Sequence, residues 1–155
     1  MVFRPYMLLF FDKAKWTILL NVCALVYYRN ALSVFAICGA VGCALSAKLL
    51  KRVIRHERPN QATHERSFGM PSTHSASIMY FATLVSFVVQ DADIAHVYAL
   101  LGTCVLGFVG MLAAASRAIN GHHTPAQVAA GCTLGVAFAS VWWHYRSAML
   151  PLIEQ

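Results

Sequence analysis

The sequence predicts an all-α integral membrane helical bundle of about five transmembrane helices, and three observations carry that prediction. Of 155 residues, 59% are hydrophobic and only 12% charged, against about 25% charged in an average soluble domain. The apolar residues gather into long stretches over 16–28, 31–50, 72–89, 96–115 and 125–143. Most of these approach the roughly 20 residues that a helix rising about 1.5 Å per residue needs to cross about 30 Å of hydrocarbon. The polar residues collect between the stretches, as connections at a membrane surface would.

The N-terminal apolar run over 6–11 is shorter than the roughly 7–15-residue core of a cleavable signal peptide, so the N-terminus is expected to be retained. The stretch over 16–28 is short for a span. That over 31–50 leads into the longest polar segment, 51–70. Gly69 permits a tight turn and Pro71 suits a first helical position, which places Ser72, Thr73 and His74 in the first turn of the next helix. A short turn over 90–94 reverses the chain into the fourth stretch. The fifth opens on Thr124-Pro125-Ala126-Gln127, with Thr124 as N-cap, Pro125 at N1 and Gln127 as the polar partner of a capping box. Trp142, Trp143 and Tyr145 read as an interfacial aromatic belt at its end. With no repeat or low-complexity tract, the expected organisation is one domain over 1–155.

Charge and cysteines narrow the function classes. The net charge is +6, and six of the twelve basic residues fall between Lys48 and Arg66. In a membrane protein such a patch marks topology or anionic headgroups rather than nucleic acid. Cys23, Cys38, Cys43, Cys104 and Cys132 lie within apolar stretches without CxxC spacing. They read as buried thiols, not as a disulfide framework or zinc site. The six carboxylates are Asp12, Glu57, Glu65, Asp91, Asp93 and Glu154. Neither His56-Glu57 nor His64-Glu65 continues to the second histidine of an HExxH motif, so no metal or other cofactor is expected.

Counting spans brings three polar clusters to one face of the membrane. Lys51 and Arg58-Pro59 follow the second stretch, and Pro71-Ser72-Thr73-His74 opens the third. The fourth returns to deliver Ser116-Arg117, with His123 just before the fifth. The free N–H groups of a helix start hold an anion, Arg58 and Arg117 offer planar forks for phosphate oxygens, and Lys51 adds a compact charge. A neutral imidazole attacks phosphorus at physiological pH, so His123 or His74 is a candidate covalent catalyst and the other a candidate acid. Phosphoryl transfer needs these parts: a nucleophile, neutralised equatorial oxygens and a proton for the leaving oxygen.

Lys51 with Arg58-Pro59, Pro71-Ser72-Thr73-His74 and Ser116-Arg117 with His123 resemble the three-part signature of the type 2 phosphatidic acid phosphatase (PAP2) superfamily, whose members include lipid phosphatases and vanadium haloperoxidases. The resemblance covers residues 51–131. The run from Phe68 to Ser75, and Gln127 where most relatives carry Asp, look most like the dolichyl-diphosphatase branch. The resemblance implies that His123 is the nucleophile forming a phosphohistidine and that His74 protonates the departing lipid phosphate. It implies that Lys51, Arg58 and Arg117 clamp the phosphoryl group, with Ser72 and Thr73 assisting. The chain departs from the usual six-helix core by showing five stretches and the short N-terminal run.

The expected substrate is a polyprenyl diphosphate lipid, dolichyl diphosphate above all, cleaved to the monophosphate and inorganic phosphate in recycling the glycan carrier of protein N-glycosylation. A phosphatase of phosphatidic acid or another lipid monophosphate is the nearest alternative, and a catalytically silent membrane scaffold the alternative of another class. A vanadate-dependent peroxidase is disfavoured because that chemistry is usually carried by soluble relatives. Plainer roles are assigned to Arg52 and Arg55 as interfacial anchors, to His56, His64, His96 and His144 as capping or interface residues, and to Asp91-Ala92-Asp93 as a solvated turn. His122 reads as pocket wall or support to the site. Gln127 has two competing roles, helix cap and orienter of His123, of which the second is favoured. By the positive-inside tendency, Arg4, Lys13, Lys15, Arg52, Arg55 and Arg66, against Arg29 and Arg146, make the catalytic face cytosolic. The resemblance implies a lumenal site in the endoplasmic reticulum, and it is given the greater weight.

Overall fold

The computed structural model describes residues 30–59 and 67–153. The expected first span over 16–28, the run over 6–11, Cys23, His64, Glu65, Arg66, Glu154 and the basic residues from Arg4 to Arg29 lie outside them. Among the described residues all regular structure is helical: α1 (Ala31–Ile54), α2 (Thr73–Asp91), α3 (His96–Ile119), α4 (Pro125–His144) and the short α5 (Arg146–Ile153). Three of them, α1, α3 and α4, are long and apolar enough to cross a membrane. The fourth long helix, α2, packs most extensively on α4 and α3 and also on α1. A helix covered by protein rather than lipid tolerates the polar residues that keep α2 less apolar. The protein is an integral membrane helical bundle.

Two stripes explain the packing. The buried residues of α1 are Phe35, Gly39, Cys43, Ala47 and Lys51, each four apart and hence on neighbouring turns of one face. On α4, Gln127, Gly131, Gly135 and Ala139 repeat the same spacing. Small residues on α4 let its backbone approach α2, as at helix interfaces in lipid generally. A Cβ on Gly135 would lie 2.2 Å from the Ala76 carbonyl oxygen, and one on Gly131 2.5 Å from that of Ser72. Polar hooks add to the packing: Tyr80 Oη donates to the Ala36 carbonyl at 3.0 Å and Trp142 Nε1 to that of Phe35 at 3.0 Å.

Several expectations change. Helices α1 and α3 run four residues past the apolar stretches, so Lys51 and Arg117 sit in last helical turns. Trp142 and Trp143 are half-buried packing residues rather than a belt: Trp142 stacks on Phe35 at 5.3 Å and Trp143 on Phe87 at 5.8 Å. Helix α5 turns back so that Met149, Leu150 and Ile153 also pack against the core. Tyr145 alone of the three is exposed. Of the cysteines, Cys43 is buried, whereas Cys38 and Cys104 lie on the outer surface because they fall off the inward stripes. The turn carrying Asp91 and Asp93 is at the end opposite His74 and His123, where Asp91 pairs with Arg146 at 2.7 Å.

Candidate active site

Local chain geometry builds the site from four segments. Asn30 caps the start of α1, and α1 ends at Arg55, which takes the left-handed conformation (φ 50°) and closes the helix through its N–H to the Lys51 carbonyl. Lys51 ends the inward stripe and is 7% exposed, while Arg52 and Arg55 face outward. Beyond the turn, Arg58 is held by Ser67: Nε donates to the Ser67 carbonyl at 2.9 Å and Nη2 to its Oγ at 3.0 Å. Helix α2 starts on the Ser72 cap, with half-buried Thr73 and His74 in its first turn. After α3, Gly121 takes φ 75°, a conformation glycine adopts without strain. The chain then doubles back so that the His122 and His123 N–H groups both donate to the Arg117 carbonyl, at 3.0 and 3.2 Å.

The capping box at Thr124 forms as the residue types suggest: Thr124 Oγ1 accepts from the Gln127 N–H at 3.3 Å, and Gln127 Oε1 accepts from the Thr124 N–H at 3.2 Å. The same Oε1 lies 3.1 Å from His123 Nδ1. Cap and orienter are therefore not alternatives. One oxygen has two lone pairs and serves both groups.

This geometry fixes the imidazole tautomer. The Thr124 N–H can only donate, so the amide atom facing it is oxygen. The Glu57 carbonyl can only accept, so the amide atom 2.6 Å from it is nitrogen. With oxygen facing His123, Nδ1 must carry the ring proton, and Nε2 carries the lone pair. Arg58 Nη1, 3.2 Å from Nε2 and 3.1 Å from the His122 carbonyl, donates in agreement with that assignment.

His123 is 4% exposed. Burial, then the adjacent Arg58 charge, push its pKa down to about 4; the Gln127 hydrogen bond opposes the shift, and Lys51 and Arg117 add to it. The ring is thus neutral at pH 7. Because a lowered pKa keeps the free base as pH falls through the ordinary 6.5, the acidic limb of kcat/KM that reports this group is expected near pH 4. A pH profile on a substrate whose own phosphate ionisation is titrated separately checks this, and a limb at 6.5 contradicts it.

Among the expected site residues, Arg58, His123, Gln127 and Ser72 are joined by hydrogen bonds, and Lys51 and Arg117 are near enough to act on His123 electrostatically. His74 and Thr73 sit at the same end, on the turn that follows Ser72. Ser72 is fully buried: its N–H donates to the Gln127 carbonyl at 3.0 Å, and its Oγ accepts from the Ser75 N–H and Oγ. The bond to Gln127 holds the start of α2 against α4, and those from Ser75 cap the helix.

The sequence reading missed three contributors. Ser67 grips Arg58, and no motif marks it. His56, read as an interface residue, places Nδ1 2.9 Å from Gln127 Nε2. Gly69, read as a turn residue, has no left-handed φ; it is small because Gln127 lies against it. Among the described residues, no three His, Cys, Asp or Glu side chains are grouped to hold a metal ion.

The PAP2 superfamily model matches residues 27–149. Dolichyldiphosphatase 1 of Dictyostelium discoideum is 25% identical over 147 residues, covering 88% of this chain and 64% of its own length. Lipid phosphate phosphatase epsilon 2, chloroplastic, of Arabidopsis thaliana is 27% identical over 131 residues, covering 84% and 46%. The chain spans less than two thirds of these relatives' length. A transmembrane PAP2-type phosphatidylglycerolphosphate phosphatase from Bacillus subtilis superposes with a TM-score of 0.78 at 20% identity, over 96% of this chain and 80% of that one. At that identity the likeness is one of fold.

Proposed function

The chain belongs to the PAP2 superfamily, and on that premise we propose that it is a membrane lipid phosphatase that cleaves a polyprenyl diphosphate, such as dolichyl diphosphate, to the monophosphate and inorganic phosphate. The observation that carries the reading is the buried, neutral His123 with its lone pair on Nε2, beside Arg58 and under the influence of Lys51 and Arg117. In the proposed reaction Nε2 attacks the terminal phosphorus while the bond to the bridging oxygen breaks. His74 gives that oxygen its proton, and water then hydrolyses the phosphohistidine. Arg58 moves from Nε2 to a phosphoryl oxygen as substrate binds, with Lys51 and Arg117 neutralising the remaining oxygens and Thr73 and Ser72 shaping the helix start beneath them.

The diphosphate preference draws on the similarity to a dolichyldiphosphatase, which also motivates a role in recycling the N-glycosylation carrier and a lumenal site in the endoplasmic reticulum. The similarity to lipid phosphate phosphatases favours a second reading, hydrolysis of phosphatidic acid or another lipid monophosphate. Phosphate release from dolichyl diphosphate, dolichyl phosphate and phosphatidic acid by the purified protein, with and without chelator, decides between them. Turnover of the diphosphate well above the other two, undiminished by chelator, is expected. A preference for phosphatidic acid selects the second reading, and no release from any substrate favours a silent scaffold.

His74→Ala should slow the lipid diphosphate by about 10²–10⁴-fold, as loss of a general acid does, yet slow an activated aryl phosphate much less, since a good leaving group needs no proton. Equal losses on the two substrates would instead make His74 structural.

A further inference from the structure

We infer that Gly69 is a positioning residue: the space where its side chain would be holds the Gln127 amide, and that amide fixes the segment bearing Arg58 against His123. The inference rests on His123 and Arg58 acting as proposed above. Gly69 is buried, and its N–H donates to the His56 carbonyl at 2.7 Å. A Cβ at this position would lie 2.3 Å from Gln127 Nε2, 2.5 Å from Cδ and 2.6 Å from Oε1, overlapping the whole amide group.

The amide has little freedom to yield. Its oxygen faces His123 Nδ1 and the Thr124 N–H, its nitrogen the Glu57 carbonyl and His56 Nδ1, and Gln127 is fully buried. Glu57 immediately precedes Arg58, and Arg58 Nη1 returns to His123 Nε2. The bonds therefore close a ring from Gln127 through Glu57 and Arg58 to His123 and back. An amide displaced by a methyl group at position 69 disturbs both ends of the ring, the imidazole tautomer and the placement of the guanidinium. Gln127 is long enough to reach the imidazole and the Glu57 carbonyl with opposite ends of one group, and a glycine opposite is the condition for that reach.

The test is a double-mutant cycle, which isolates coupling between neighbours. Gly69→Ala alone should lower kcat/KM for the lipid substrate at least about tenfold, whereas in a Gln127→Ala background, where the space is vacant, it should cost less than about twofold. Independently of turnover, ¹⁵N-histidine NMR of the intact protein should show His123 as a single Nδ1–H tautomer. Gly69→Ala should turn it into an exchanging mixture, the signal being assigned by its loss in His123→Ala. If the unsubstituted protein hydrolyses none of the lipids, the functional reading falls while the tautomer still decides the present inference. Additive losses, or an unchanged tautomer in Gly69→Ala, overturn it. Should Gly69→Ala not fold, the double variant is expected to fold, and its failure to do so overturns the inference equally.

Discussion

His123→Ala is expected to reduce phosphate release by at least about 10⁴-fold, the scale of loss when a covalent nucleophile is removed. The His123 imidazole combines a free base at neutral pH with a fixed ring orientation. Its proton is held on Nδ1 by Gln127 Oε1, and its Nε2 lies beside Arg58. Alanine removes the lone pair proposed to attack and leaves the surrounding charges in place. Vanadate, a five-coordinate phosphoryl mimic, should therefore still bind the variant, though more weakly. The measurement is single-turnover hydrolysis together with thermal unfolding of the same preparation. Turnover near that of the unsubstituted protein would remove the phosphohistidine mechanism, and loss of turnover only in proportion to loss of folded protein would assign His123 to structure.

The second large effect is on stability. Gly135→Leu should unfold or severely destabilise the bundle, because its Cβ alone would lie 2.2 Å from the Ala76 carbonyl oxygen and 2.9 Å from the Tyr80 nitrogen. Both are backbone atoms of α2, so no side-chain rotation relieves the clash and the two helices must part. Ordinary overpacking costs about 1–3 kcal/mol, and a clash with helix backbone belongs at or above the top of that range. Parting α2 from α4 also separates the turn bearing His74 from His123, so activity falls with stability. Gly107→Ala is the control: nothing lies within 4 Å of a Cβ there, and replacing a helical glycine should be neutral or stabilise by up to about 1 kcal/mol. Equal melting temperatures for Gly135→Leu and the unsubstituted protein would sink the close-packing account.

What the sequence showed and what it hid divide along physical lines. Span counting alone brings Lys51, Arg58, His74, Arg117 and His123 to one end, because each crossing reverses the chain and nothing finer is needed. The Thr124 capping box was equally legible, since a cap depends on residues three apart on one helix. Lys51 could be separated from Arg52 and Arg55 by motif, but the physical reason is the four-residue stripe from Phe35, visible once the packing face is known. Hidden were the contacts made across the fold by groups with no distinctive chemistry. The Ser67 grip on Arg58, the Glu57 carbonyl and the closeness of Gly69 to Gln127 depend on where residues 55–59 and 67–69 lie against the bundle. No periodicity encodes that placement. The aromatic cluster was hidden for a related reason: Trp142 and Trp143 have interfacial chemistry, and their stacking on Phe35 and Phe87 is a contact across the fold.

The doubling back at Gly121 brings the groups from His122 to Gln127 over those made earlier in the chain. Arg58 bonds the His122 carbonyl and His123 ring, and the Ser72 N–H bonds the Gln127 carbonyl. Because a chain is synthesised from its N-terminus, Arg58 and Ser72 leave the ribosome before the residues that hold them. Two of the three clusters thus reach the membrane surface with those partners still unmade, and the arrangement around His123 closes only after His122 to Gln127 emerge and α4 follows them into the bundle.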